Sequence, residues 1–217
     1  KNTGPKTALQ RKAQTETLLR SMNIPYIDHL PLLEEEEEAR LRSPQDVAKR
    51  ILVLTYLGYV SEVPDSKPEV VQFLQEQDIW NHASAHEKEL FAKDLTEQEQ
   101  INISWRSEAT WLLLWAIHRV ERLDIPVHEV NIADILQRLP GLLEDTGTFV
   151  QQASLRPASQ ILDTADLTYR LHWAVRHTQL NNLKPLAVNP GIIEERHYAV
   201  NWLTYYADDW DDVTTDT

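Results

Sequence analysis

The sequence predicts an all-α fold, a single globular multi-helix domain around a central tryptophan-rich helix, with short helices and proline-rich elbows. Apolar residues recur at helical spacing along the 217 residues, and helix-capping sequences precede several of these stretches. Few stretches alternate apolar and polar residues as strands do. The composition, 42% hydrophobic and 25% charged, is typical of a globular chain that can bury a sizeable core.

Residues 1–42 are predicted to form one helix and an extended lead-in. Helical spacing covers residues 5–22, and prolines between residues 24 and 31 favour an extended chain. The glutamate run 34–38 follows, and we expect it to be a solvated helix start, because carboxylates suit the positive end of the helix dipole.

Residues 43–206 are predicted to form the helical core, beginning with a serine cap and a proline at Ser43-Pro44. This helix is predicted to run to about Tyr59, because Gly58 and Pro64 indicate its C-terminal end. Its buried stripe comprises Val47, Ile51, Leu54 and Leu57.

Two capping boxes predict the next major helix starts. A helix is predicted over 67–77, and the box at 84–87 begins a second, short helix. We expect the Trp80 side chain to pack between these two helices. The box at 96–99 opens the longest and most apolar helix, which reaches about residue 120. Prolines and glycines then divide residues 121–150 into short helices and turns.

Two further helices and a tail complete the chain. A long helix covers 156–177, and Asn189-Pro190 caps a last helix to about Tyr206. Residues 207–217 form an acidic tail with Trp210 as its anchor.

Two charged residues fall within apolar helix stripes. Winding at about 100° per residue puts Glu108 at the centre of one stripe and Arg196 within another. Because an isolated buried charge is costly, we predict a buried ion pair between Glu108 and Arg196. Arg106, Arg119 and Glu195 are additional or competing partners.

Polar residues on the last two long helices form a candidate polar site. Asp166 and Arg170 are four residues apart on one helix face, which indicates either a solvated face with a local ion pair or the wall of a polar pocket. The candidate site comprises Asp163, Asp166, Arg170, His197, Asn201 and Trp202.

The charge and composition exclude several classes of function. With 34 acidic and 21 basic residues, the net charge of −13 disfavours nucleic acid and anionic membrane surfaces as partners. No apolar run approaches the roughly 20 residues of a membrane span, cysteine is absent, and no glycine pattern indicates a phosphate-binding loop. We therefore expect a soluble cytoplasmic protein that needs no cofactor.

Two function hypotheses follow. The first is a non-catalytic protein that binds a partner protein, a second copy of itself, or a small ligand at the candidate polar site. The alternative is a hydrolase or transferase that depends on a divalent cation held by Asp163 or Asp166, with His197 as acid or base. Such a cation would otherwise bind the tail aspartates Asp208, Asp209, Asp211 and Asp212.

Several segments, in order, resemble a known family. They are Leu41-Arg42-Ser43, residues 104–109 (SWRSEA), residues 161–163 (ILD), residues 195–202 (ERHYAVNW) and residues 210–213 (WDDV). Together they resemble the bacterial domain-of-unknown-function family numbered 4272, over most of the chain from about residue 40. The resemblance implies a helical, cytoplasmic protein and supplies no catalytic residues.

Overall fold

The computed structural model describes residues 4–217, so the first three residues of the predicted domain lie outside the described part. The described chain is helical and contains no strand, as predicted. Its α-helices are α1 (Ala8–Ser21), α2 (Pro44–Glu62), α3 (Lys67–Glu76), α4 (Ala85–Ala92), α5 (Glu97–Ala116), α6 (Ile132–Leu136), α7 (Gly147–Gln151), α8 (Ala158–Leu180) and α9 (Pro190–Leu203). Short 3-10 turns cover Pro64–Ser66, Trp80–His82 and Trp210–Asp212.

The predicted caps begin the main helices. Ser43 accepts a hydrogen bond from the Asp46 amide, and the capping boxes at Ser84 and Thr96 are complete. Asn189 caps α9 through the amides of its first turn. Local sequence therefore determines where these helices start.

Three local predictions are wrong. Gly58 does not end α2, which continues to Glu62 and buries Val60 in the core. The longest helix is α8, with 23 residues, and α5 has 20. The glutamate run 34–38 starts no helix; instead Glu35 and Glu36 accept hydrogen bonds from the amides of Ala8 and Lys6 at the start of α1.

Helix α5 lies at the centre of the packing. It contacts α2 and α9, α9 also contacts α8, and α8 contacts α1. Leu112, Leu113 and Leu114 are all fully buried, so α5 has neighbours on several sides, as the sequence predicts. At the start of α9, a Cβ added to Gly191 would come within 2.6 Å of the Trp105 ring, so glycine permits this close approach to α5.

The main core joins α2, α5 and the second half of α9 with the tail. A smaller cluster of apolar residues joins α1 and its lead-in to α8 and the start of α9, around Leu19, Leu171 and Ile193. Within residues 4–217, no helix has both the length and the apolar character needed to cross a membrane.

Candidate functional site

The α8 part of the predicted polar site holds the N-terminal segment in place. Asp163 forms ion pairs with Lys6 at 2.5 Å and with Arg11 at 3.0 Å. Arg170 pairs with Asp166 at 3.1 Å, and both side chains are buried. Arg170 also donates to the carbonyl oxygens of residues 30 and 31, so these charges join α8 to α1 and its lead-in.

His197 belongs to a buried pair of histidines between α8 and α9. Its Nδ1 lies 2.8 Å from Nδ1 of His172, so one ring donates and the other accepts. Burial lowers the pKa of His172 to about 4 and that of His197 to about 3, and both rings are therefore neutral near pH 7. His197 is not accessible as an acid or base to a molecule in solvent.

Asn201 and Trp202 hold the C-terminal tail. The Asn201 side chain donates to the Thr214 carbonyl at 2.9 Å, and the buried Trp202 ring lies 5.8 Å from that of Trp210. The guanidinium carbon of Arg42 lies 4.7 Å from the centre of the Trp202 ring. The same guanidinium group donates to carbonyl oxygens of the tail. Trp210 is buried, so it anchors the tail.

The predicted polar site is therefore corrected: its six residues do not form one accessible surface. Asp163, Asp166 and Arg170 bind the N-terminal segment, while Asn201 and Trp202 bind the tail. Helical winding gave the faces of these residues correctly, but the segments that cover those faces come from distant parts of the chain.

Glu108 and Arg196 are both buried, and each makes its direct hydrogen bond elsewhere. Glu108 accepts from the Val130 amide at 2.7 Å, and Arg196 donates to the Asp124 carbonyl at 2.8 Å. The two charges influence each other electrostatically, but no ion pair within 4.0 Å joins them. Burial raises the pKa of Glu108 and lowers that of Arg196. The direct ion pair between α5 and α9 is instead Arg106 with Glu195.

Two of the tail aspartates accept hydrogen bonds from backbone amides. Asp209 accepts from the Asp211 amide, and Asp211 accepts from the His86 amide at the start of α4. In the part of the chain that the structure describes, no group of three or more histidine, cysteine, aspartate or glutamate side chains is arranged to hold a metal ion.

A large apolar cleft that the sequence does not predict opens between α2, α5 and the segment 132–142. Its volume is about 660 Å³. We call it the apolar cleft; its main apolar lining comprises Leu52, Tyr56, Tyr59, Ile103, Ile135 and Leu136.

Gly58 forms part of the wall of the apolar cleft. A Cβ at this position would meet no atom within 4 Å, so the space beside the α2 backbone is open. Ile132, Leu136 and Leu142 line the cleft and are each more than half exposed. The signals in the sequence were a glycine inside an apolar helix and unexplained apolar residues in the broken segment 132–142.

Polar groups in the wall of the apolar cleft are mostly satisfied by their own helices. The hydroxyl groups of Thr55, Thr110 and Ser107 donate to main-chain carbonyl oxygens three or four residues earlier. Tyr56 accepts from the Leu143 amide at 2.9 Å and thereby holds the segment beyond α6. The interior of the cleft thus offers mainly apolar contact.

Comparison with known proteins identifies the family. No curated protein and no solved structure matches the chain. A family model described as "Domain of unknown function (DUF4272)" matches residues 11–213. This match covers nearly the whole chain and includes both the charges between α5 and α9 and the lining of the apolar cleft. The chain therefore belongs to the DUF4272 family.

Proposed function

We propose that this protein binds a small, largely apolar molecule in the apolar cleft and does not convert it chemically. The observation that carries the proposal is the size and lining of the cleft, about 660 Å³ bounded mainly by apolar side chains. Sites for small molecules typically measure about 300–1,000 Å³ and are lined in this way. Isolated exposed apolar residues are common, but here several converge on one concave surface.

The lining also indicates the chemistry of the ligand. Because most hydroxyl groups in the wall donate to their own helices, binding rests on apolar area removed from water, at about 25 cal/mol per Å². Among residues 4–217, the only charged residue in the lining is Glu62, which is exposed. A neutral ligand therefore fits better than a carboxylate.

We propose that the protein works in the cytoplasm of a bacterium and does not bind nucleic acid. The net charge of −13 repels phosphate backbones, and the absence of cysteine suits a reducing compartment. The same charge repels anionic membrane surfaces.

The test uses the open space beside Gly58. Gly58→Phe extends a large side chain into the cleft, whereas Gly58→Ala adds one methyl group that meets no other atom. N-phenyl-1-naphthylamine, a neutral apolar probe, reports binding by its fluorescence. We expect the unchanged protein and Gly58→Ala to bind it, and Gly58→Phe to bind it at least ~10-fold more weakly, because the substituent occupies the site.

Circular dichroism spectra and thermal unfolding of all three proteins establish that each is folded at the temperature of the titration. Failure of the unchanged protein to bind the probe would overturn the proposal. Equal affinity in a folded Gly58→Phe protein would move the binding site away from this cleft.

A further inference from the structure

A second cleft lies between α4, α5, α9 and the C-terminal tail, and its walls carry charge. Its volume is about 330 Å³. We call it the polar cleft; the polar residues of its lining include Glu87, Glu99, Asn102, Arg106, Tyr198 and Asp211. The Trp210 ring also lines it, so the tail forms one of its walls.

Glu87 in this lining has an unsatisfied carboxylate oxygen. The residue is only 3% exposed. Its Oε1 accepts from Arg50 at 2.5 Å and from the Ser84 amide at 2.8 Å, but its Oε2 is buried and has no hydrogen-bond partner. A buried carboxylate oxygen without a donor is unfavourable, so an N–H donor supplied from the cleft would remove a cost that the fold itself carries.

One carboxylate of the polar cleft has no cationic partner among residues 4–217. Three ion pairs around the cleft are each neutral: Arg50 with Glu87, Arg106 with Glu195, and Lys93 with Glu99. Asp211 has no cationic partner within 4.0 Å among residues 4–217; it accepts only from the His86 amide. The cleft is therefore net negative and complements a cation.

Aromatic rings form the apolar part of the wall. The rings of Tyr198 and Trp210 meet edge to face with centroids 4.8 Å apart. Each already lies near a guanidinium group, Arg106 at 5.9 Å from Tyr198 and Arg50 at 4.7 Å from Trp210. These guanidinium groups already make the cation contacts of the two rings, so the rings offer a ligand apolar contact.

We propose that the polar cleft binds a small organic cation that carries a primary ammonium group. Oε2 of Glu87 accepts an N–H of the ammonium group, Asp211 balances its charge, and Tyr198 and Trp210 contact its apolar body. The proposal rests on residues outside the apolar cleft and is independent of the function proposed for that cleft, although Ile103 lines both.

The experiment is a calorimetric titration with benzylammonium, and benzyl alcohol is the neutral probe of the same shape. We expect benzylammonium to bind at least ~10-fold more tightly than benzyl alcohol, because only the cation satisfies both carboxylates. Affinity for benzylammonium should fall with added sodium chloride, since part of the attraction is electrostatic.

Two substitutions and a matched control locate the site. Glu87→Gln keeps an oxygen for Arg50 and Ser84 and replaces the unsatisfied oxygen by an amide nitrogen, so it should weaken benzylammonium binding at least ~10-fold. Asp211→Asn keeps an oxygen for the His86 amide, removes the unpaired charge and should weaken benzylammonium binding about 3-fold. Asp212→Asn removes an equal charge next to the cleft lining and should have no effect.

Thermal unfolding identifies any loss of the folded state in Glu87→Gln, and Asp211→Asn tests the site without altering a buried residue. Equal binding of benzylammonium and benzyl alcohol would overturn the proposal. So would an affinity for benzylammonium that changes as much in Asp212→Asn as in Asp211→Asn.

Discussion

The apolar cleft and the polar cleft border the same helix, α5, yet they present opposite chemistry. Ile103 lines both. The apolar cleft is completed by α2 and the segment around α6, which bring mainly apolar side chains. The polar cleft is completed by α4, α9 and the tail, which bring carboxylates and aromatic rings. The comparison teaches that the neighbours of a central helix, and not the helix alone, decide what a cleft can bind.

The clefts also differ in what holds their walls. Trp210 closes the polar cleft and is buried against Tyr198 and Trp202. The wall of the apolar cleft includes α6, a helix of five residues with exposed apolar side chains. Such a short helix depends on packing for its stability, so ligand contact would add to it.

The largest expected effect concerns the wall of the polar cleft. Trp210→Ala should lower the free energy of unfolding by about 3–5 kcal/mol, because it removes a buried aromatic side chain and leaves a cavity. Urea unfolding measures this loss. The folded variant should still bind N-phenyl-1-naphthylamine, since Trp210 does not line the apolar cleft.

Asp212→Ala is the control for the tail substitution, because this side chain is exposed and should change stability by less than about 0.5 kcal/mol. A loss below about 1 kcal/mol in Trp210→Ala would contradict the anchoring role of this residue. Loss of apolar-probe binding in the folded variant would mean that the two clefts are coupled.

The second prediction separates the clefts from the histidine pair, which lines neither. The pKa values of His172 and His197 in the folded protein, about 4 and about 3, lie below the ordinary value of 6.5. The unfolded chain therefore binds more protons below pH 6.5. Their contribution to stability is complete above that pH and is lost as the pH falls toward 4 and 3, at about 1.4 kcal/mol per unit for each ring.

Urea unfolding between pH 7.5 and 5 tests this window. In His172→Gln, the loss of stability from pH 6.5 to pH 5 should be smaller by about 2 kcal/mol. The affinity of the apolar cleft for its probe should stay constant in the folded protein. An unchanged pH dependence in the variant would show that other groups determine the acid sensitivity.

The smallest expected effect concerns the wall of the apolar cleft. Gly58→Ala should raise the free energy of unfolding by about 0.5–1 kcal/mol, because alanine is favoured over glycine within a helix and its methyl group meets open space. Thermal unfolding measures the increase. A decrease would mean that the space beside Gly58 is filled in solution.

The local features of the fold were predictable. The caps at Ser43, Ser84 and Thr96 and the buried stripe of α2 need only neighbouring residues, and the structure confirms them. Burial of Glu108 and Arg196 also followed from helical winding. Helical periodicity gives the direction of a side chain, however, and does not identify the residue of another element that it contacts. For this reason the sequence indicates Arg106 and Glu195 only as other partners of Glu108 and Arg196, and does not predict that they pair with each other. It also does not predict the backbone partners of Glu108 and Arg196.

Both clefts depend on chain segments far apart in sequence. The apolar cleft requires α2 and α5 to leave open space beside Gly58 and residues 132–142 to border that space. The polar cleft requires the tail to return to α4 and place Trp210 beside Tyr198. No pattern within one helix encodes either distance.

The sequence by itself determined the helical class, the main helix starts and the inward direction of Glu108 and Arg196, because capping and helical periodicity act over a few residues. Only the tertiary structure decided that Asp163, Asp166 and Arg170 hold the N-terminal segment and that the open space lies elsewhere, at Gly58 and beside Glu87. The physical reason is that a cleft is the space left between packed elements, and its shape and charge depend on which surfaces meet across it.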